Sequence, residues 1–137
     1  MLTNKTILIT GANGGLGMAL VKEALALNAK KIHACVRNVK NASALEALDP
    51  RVEVHNLTIT ASDSVENLAA SINEIDILIN NAGVNSEKRV LEPCKSDFET
   101  NVFGTLKMCR AFENKIAKHG AIINVTSILA LVNLPIM

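Results

Sequence analysis

A glycine-rich turn between an apolar run and a helical pattern constrains this chain more than any other feature. Residues 10–17 read Thr-Gly-Ala-Asn-Gly-Gly-Leu-Gly, after apolar residues 7–9 and before apolar residues 18–21. Glycine permits positive φ angles and lets a ligand approach the backbone closely. The free N–H groups and the positive dipole end of the following helix favour an anion. The order strand, glycine turn, helix therefore predicts a phosphate-binding turn.

Composition and charge exclude several classes of protein. The chain has 137 residues, of which 49% are hydrophobic, and a net charge of +1. This size and apolar content suit one domain with its own core. The near-neutral charge gives no electrostatic reason to expect nucleic acid or an anionic membrane as a partner. No apolar run is long enough to span a bilayer, and the N-terminus does not have the form of a signal peptide, so we expect a cytoplasmic protein.

The cysteines give no metal or disulfide pattern. Cys35, Cys94 and Cys109 are an odd number, are scattered, and include no Cys-x-x-Cys spacing. We therefore interpret them as reduced thiols and expect no metal site.

Short β-rich apolar runs alternate with helical patterns along the chain. The predicted strands are Thr6 to Thr10, Lys31 to Val36, Val52 to Leu57, Asp76 to Asn80 and Ala121 to Thr126. The predicted helices are Gly15 to Asn28, Asn41 to Leu48, one starting near Ser62, and a long one from Ser96 to about Lys118 that Gly120 ends, after a polar loop over 84–95. In the first helix, Leu16, Leu20, Ala24 and Leu27 share one face. This alternation predicts an α/β fold with a doubly wound, Rossmann-like parallel sheet. Ligands of such sheets bind beyond the carboxyl ends of the strands.

Two motifs together resemble a known enzyme family. Thr-Gly-x-x-x-Gly-x-Gly, from Thr10 to Gly17, resembles the cofactor loop of the short-chain dehydrogenases/reductases. Because Gly14 is also present, the same residues fit the loop of the sugar epimerase-like branch. Asn-Asn-Ala-Gly at residues 80–83 resembles the motif of the single-domain dehydrogenases and favours that branch.

Two further motifs supply candidate catalytic residues. Asn-Val-Phe-Gly at residues 101–104 resembles the family's Asn-Val-x-Gly, which implies that Asn101 holds a water of a proton relay. A local kink or a close helix contact is the alternative explanation. The predicted fifth strand ends in Thr-Ser, as in the family, which implies that Ser127 orients the substrate carbonyl.

The resemblance also implies a cofactor and its binding residues. Val36 stands where NAD-using relatives usually carry an acid, and Arg37 follows it with a planar fork of donors suited to phosphate, so NADP is favoured over NAD. Asn56 and Leu57 fill the slot beside the adenine. The implied cofactor-binding residues are Gly11, Asn13, Gly14, Gly15, Leu16, Gly17, Arg37, Asn38, Asn56, Leu57, Asn81, Ala82 and Gly83.

The chain departs from the family pattern in one respect. The family's Tyr-x-x-x-Lys would lie beyond Met137, and the chain contains no tyrosine. We therefore expect residues 1–137 to be a single dinucleotide-binding domain that is incomplete at its C-terminus, truncated after five strands, and unable to turn over alone. The implied activity is hydride transfer between NADPH and a small-molecule carbonyl or alcohol, with possible homo-oligomers through the long helix, residues 97–118. The alternatives are a non-catalytic nucleotide-binding module or a pseudo-enzyme; a flavodoxin-like signalling domain is disfavoured.

Overall fold

Five parallel strands form one sheet in the computed structural model, which describes residues 2–85 and 91–127. The strands are β1 (Thr6–Thr10), β2 (Lys31–Val36), β3 (Val52–Asn56), β4 (Ile75–Asn80) and β5 (Ile116–Asn124). Their order in the sheet is β3-β2-β1-β4-β5. The chain therefore moves outward from β1 to β3 and then crosses back to β4. The strand order reverses between β1 and β4, where sheets of this kind bind their ligands.

The central strand β1 is covered on both faces. Ile7, Leu8 and Ile9 are each at most 1% exposed. A continuous aliphatic run is typical of a parallel strand that is buried on two sides. The register pairs Leu8 with His33 on β2 and with Leu78 on β4.

The helices lie in two layers. Helices α1 (Gly15–Ala26) and α2 (Ser43–Glu46) pack on one face of the sheet, and α3 (Ser62–Ser71) packs on the other. A long helical segment follows, made of α4 (Leu91–Phe98), a π-helical turn (Glu99–Gly104) and α5 (Thr105–Phe112). Of these, α5 packs on the second face, through Met108 and Phe112. Within the described ranges, no helix combines the length and the apolar character that crossing a membrane requires.

The predicted fold class is confirmed. The sheet is parallel and doubly wound, and the predicted bounds of β1 and β2 agree with the structure. The predicted polar loop over 84–95 is wrong at its end, because α4 begins at Leu91; residues 86–90 lie outside the described part of the chain.

The predicted end of the long helix, near Lys118, is wrong. The candidate oligomer segment, residues 97–118, is therefore not helical throughout, because its last residues belong to β5. The helical segment ends with a 3₁₀ turn, Glu113–Lys115, and β5 begins directly at Ile116. The register with β4 slips between its first two pairs, so residues 117–120 form an irregular bulge in which His119 has a φ of 69°. Gly120 does not end a helix. It lies in β5, where a Cβ would collide with the carbonyl oxygen of Asp76.

Helix α1 buries a different face from the one predicted. Its buried residues are Gly17, Val21 and Ala24, whereas Leu16 is 55% exposed. The spacing 17, 21, 24 is as regular a helical stripe as the predicted one. The contact of Gly17 with the glycine turn, described below, selects between the two stripes.

An ion pair joins Lys5, just before β1, to Asp76 on β4. Asp76 accepts a hydrogen bond from Lys5 Nζ at 2.8 Å and from the backbone N–H of Thr6 at 2.8 Å. These bonds, led by that from Lys5, lower the pKa of the Asp76 carboxyl. A carboxyl whose pKa is lower in the folded state stabilises the fold above its unfolded pKa, and loses that effect as pH falls.

We therefore expect Asp76→Asn to lower the free energy of unfolding at pH 7 by about 1–2 kcal/mol, because the anionic acceptor is lost. The difference from wild type should shrink as the pH falls through the folded-state pKa of Asp76, which the hydrogen bond from Lys5 holds below the unfolded value. Urea unfolding at a series of pH values measures both. A difference that stays constant down to acid pH would mean that the charge of Asp76 does not stabilise the fold.

Candidate functional site

The turn between β1 and α1 exposes backbone donors at the switch in strand order. Gly11 has a φ of 65°, which side-chain-bearing residues rarely adopt. Gly14 caps α1 without any side-chain hydrogen bond, and the first turn of α1 carries no acidic residue. The unpaired N–H groups and dipole of this helix end are therefore available to an anion.

Two glycines of this turn have different steric surroundings. A Cβ on Gly17 would overlap the carbonyl oxygen of Gly11 and lie 2.8 Å from the Cα of Ala12. A Cβ on Gly15 would meet no atom of the described residues within 4 Å, because Gly15 faces open space. Gly17 is thus required by the packing of the chain itself, whereas Gly15 leaves room for something outside the chain.

The turn after β4 is bonded to the turn after β1. The buried hydroxyl of Thr10 accepts hydrogen bonds from the backbone N–H groups of Asn81, at 3.0 Å, and Ala82, at 2.9 Å. The Asn81 side chain donates in return to the carbonyl oxygens of Thr10, at 3.0 Å, and Gly11, at 3.2 Å. The two turns therefore form one rigid floor. Thr10 was not among the predicted site residues.

A cleft of about 700 Å³ lies above this floor. It brings together eleven of the predicted cofactor residues: Gly11, Asn13, Gly14, Gly15, Leu16, Gly17, Arg37, Leu57, Asn81, Ala82 and Gly83. The described lining also includes residues that the sequence analysis did not select: Thr10, Cys35, Thr58, Ile59, Thr60, Val84, Ser96, Glu99 and Thr100. Several of these follow the carboxyl end of β3, so the rule that ligands bind at strand ends could have found them.

Two predicted cofactor residues do not line the described cleft. The Asn38 side chain accepts a hydrogen bond from the N–H of Lys40 and caps a short 3₁₀ turn. The Asn56 amide donates to the carbonyl oxygen of Arg37 at 3.4 Å. Both residues shape the loop that carries Arg37.

The wall after β2 combines a cation with a neutral thiol. Arg37 is exposed on the cleft, and its guanidinium has no hydrogen bond or ion pair with any other described residue. Val36, just before it, is buried and apolar. Burial raises the pKa of the Cys35 thiol, so this residue is uncharged. At the end of β2, the described lining residues include no carboxylate.

The candidate catalytic residues lie beyond the described lining. Asn101, in the π-helical turn, accepts a hydrogen bond from the N–H of Val84 at 2.9 Å and donates to its carbonyl oxygen at 2.7 Å. Its side chain therefore fixes the loop segment that follows β4. Ser127 is exposed and follows β5. Single π-helical turns are frequent at functional sites.

Asn80 joins the ends of β4 and β5. Its buried amide donates to Asn124 Oδ1 at 2.8 Å, and its backbone carbonyl accepts from the N–H of Val125 at 2.9 Å. These bonds hold the segment leading to Ser127 beside the Asn-Asn-Ala-Gly turn.

Residues 5–137 match the sequence model of the short chain dehydrogenases. The chain belongs to the short-chain dehydrogenase family. It is 33% identical to the short-chain dehydrogenase cctT of Talaromyces islandicus, over 90% of this chain and 47% of that protein. It is 34% identical to the NADPH-dependent pterin aldehyde reductase of Arabidopsis thaliana, over 90% of this chain and 56% of that protein.

Solved structures of the family share the fold. A short chain dehydrogenase from Burkholderia cenocepacia, crystallised in complex with NADP, superposes with a TM-score of 0.89 at 38% identity, over 98% of this chain and 58% of that one. This chain spans about half the length of the curated relatives it matches. The short-chain dehydrogenase fold therefore accounts for the sheet, the glycine turn and the cleft.

The Thr10 hydroxyl gives one test of this short-chain dehydrogenase turn. Thr10→Val keeps the shape but removes the acceptor for two N–H groups, so we expect a loss of roughly 1–3 kcal/mol in the free energy of unfolding for each group left unpaired. Thr10→Ser keeps the hydroxyl and is the matched control. Denaturant unfolding of both variants measures the difference, and equal stabilities would exclude the hydroxyl as the link between the turns.

The two glycines give a second test. We expect Gly17→Ala to destabilise the protein, because its Cβ meets backbone atoms that cannot move without shifting β1 or α1. Gly15→Ala should leave the stability unchanged or raise it by up to about 1 kcal/mol, since Ala is the better helix former. Thermal unfolding of the pair is the measurement. Similar losses in both variants would contradict the different packing of these positions.

Proposed function

We propose that this chain binds NADP(H) in the cleft and is the cofactor-binding part of an oxidoreductase. The reaction is hydride transfer between NADPH and a small-molecule carbonyl or alcohol, and residues 1–137 act as one dinucleotide-binding domain within it. The observation that carries the proposal is the guanidinium of Arg37, which faces the cleft without a hydrogen bond or ion pair to any other described residue. The floor of this cleft is a helix end that favours an anion.

The floor of the cleft fits a diphosphate. The open space at Gly15 admits a group that a Cβ would obstruct, and the first turn of α1 offers N–H donors without a competing acid. A helix N-terminus favours phosphate through these donors and its dipole. Gly11, Asn13, Gly14, Leu16 and Gly17 belong to this phosphate-binding surface in the proposal.

The wall after β2 favours the phosphorylated cofactor. NAD recognition usually relies on a carboxylate that bonds the ribose hydroxyls, and the buried Val36 cannot supply one. Arg37 offers a fork of donors that matches a phosphate. Asn38 and Asn56 support the Arg37 loop, while Leu57 borders the adenine. The relatives named above support this choice, since one is named as NADPH-dependent and another was crystallised with NADP.

The described residues also suit substrate orientation. The nicotinamide, when bound, supplies or accepts the hydride. In the proposal Ser127 orients the substrate carbonyl. Asn101 holds a water through its backbone, because its side chain is already bonded to Val84. Asn81, Ala82 and Gly83 form the turn beside the cofactor. These 137 residues contain no tyrosine, so none of them can act as a tyrosine proton donor.

We place the protein in the cytoplasm, where thiols stay reduced. The location is consistent with the three free cysteines, Cys35, Cys94 and Cys109.

We also propose a surface for self-association. Four large apolar side chains are exposed on the long helical segment: Phe98, Val102, Phe103 and Leu106. A clustered apolar surface favours association, so this segment is the proposed contact between copies of the chain.

The test of cofactor choice is a titration of wild type and Arg37→Ala with NADPH and with NADH. We expect wild type to prefer NADPH. Removing one charge-assisted phosphate contact should weaken NADPH binding by roughly 1.5–3 kcal/mol and leave NADH binding unchanged. Protein-enhanced NADPH fluorescence measures both affinities.

Lys40→Ala is the matched control, because Lys40 is an exposed cation of the same loop that does not line the described cleft. It should bind both cofactors as wild type does. Equal NADPH affinities in wild type and Arg37→Ala would exclude Arg37 as the phosphate ligand. Failure of folded wild type to bind either dinucleotide would overturn the proposed function.

A further inference from the structure

Three potential metal ligands lie together on the outer strand pair of the sheet. His33 is on β2, and Glu53 and His55 are on β3. The register places His33 directly opposite Glu53, and His55 is two residues further along the same strand. Because side chains two residues apart point to the same face of a strand, all three occupy one face of the sheet. None of them belongs to the described lining of the cleft.

The ligand atoms are already close to one another. His33 Nδ1 and His55 Nε2 are 2.9 Å apart, and His55 Nε2 is 3.5 Å from Glu53 Oε1. All three ligand atoms lie within 4.8 Å of one another. Bonds of 2.0–2.2 Å in a tetrahedral site would separate neighbouring ligand atoms by about 3.3 Å. The imidazole nitrogens need to part by only a few tenths of an ångström, but the rings must also turn so that both lone pairs face the metal. The longer adjustment in distance falls on Glu53, whose side chain is exposed.

The geometry points to a Zn²⁺ site formed by His33 Nδ1, His55 Nε2 and a Glu53 carboxylate oxygen. Two imidazoles and one carboxylate are a ligand set that Zn²⁺ accepts, with a fourth position left for water. Glu53 is half exposed and His55 is in contact with solvent, so the fourth position is open. Metal binding moves the shared imidazole proton to another ring nitrogen, and both rings stay neutral.

The surroundings hold the three groups in the protonation states that bind metal. Burial, more than any neighbour, lowers the pKa of His33 to about 4 and also lowers the pKa of His55. The hydrogen bond from Lys31 lowers the pKa of Glu53, which is therefore an anion. Lys31 pairs with Glu53 Oε2, while Oε1 faces His55. A hydrogen bond to the second oxygen of a ligating carboxylate orients that ligand.

The sequence predicts no metal site, because its cysteines are scattered and include no Cys-x-x-Cys spacing. His33 and His55 are separated by a helical crossover, and only the pairing of β2 with β3 brings them together. A spacing motif cannot reveal a site whose ligands come from two strands.

The experiment is a titration of the chelator-treated, dialysed 137-residue chain with ZnCl₂ by calorimetry, repeated with CoCl₂ and visible absorption. We expect one equivalent of Zn²⁺ to bind and Co²⁺ to give the absorption of a tetrahedral complex without a thiolate charge-transfer band. Glu53→Gln and His55→Gln should each weaken Zn²⁺ binding by about tenfold or more. Both positions tolerate these changes better than the more deeply buried His33 does.

His119→Gln is the matched control, since His119 is an exposed histidine outside the cluster. It should bind Zn²⁺ as wild type does. Circular dichroism of each variant separates a lost ligand from a lost fold. Absence of binding to folded wild type, equal affinity in Glu53→Gln and His55→Gln, or a thiolate band showing cysteine ligation would each overturn the site.

Discussion

The cleft depends on the two hydrogen bonds that the hydroxyl of Thr10 accepts. Strands β1 and β4 are neighbours in the sheet, but the chain leaves them in different directions, because the strand order reverses between them. Thr10 joins the two departing turns by accepting two backbone hydrogen bonds, and Asn81 returns two more. Without this link, each turn would be an independent loop above the sheet. With it, the helix end at Gly15 keeps a fixed position relative to residues 81–83.

A second constraint, the contact between Gly17 and Gly11, sets the rotation of α1. Because Gly17 must face the turn, Val21 and Ala24 follow it into the core, one and two turns along the helix. The same rotation turns Leu16 outward onto the cleft. One steric requirement therefore determines both which residues pack against the sheet and which face the ligand space.

The sequence predicted the parts of the fold that have a local signal. The strands β1 and β2 are bounded apolar runs, and their ends could be read directly. The end of the long helix could not, because Gly120 lies in a bulge that only the pairing of β5 with β4 reveals. Thr10 was overlooked as a site residue for the same reason, since its partners lie about 70 residues further along the chain. Asn38 was predicted to bind the cofactor because it lies next to Arg37 in the sequence, whereas its side chain caps a 3₁₀ turn.

The proposed cofactor-binding residues and the proposed catalytic residue Ser127 lie in different parts of this chain. The described lining of the cleft comes from the turns after β1, β2, β3 and β4, together with one side of the long helical segment. Ser127 instead follows β5, which is more exposed than the central strands, with Ile122 and Ile123 at the surface. The bonds of Asn80 to the end of β5 are the physical connection between the two parts. In a short-chain dehydrogenase organised in this way, the proposed cofactor surface can be rigid without the surroundings of Ser127, whereas the geometry at Ser127 depends on Asn80 and on what packs against β5.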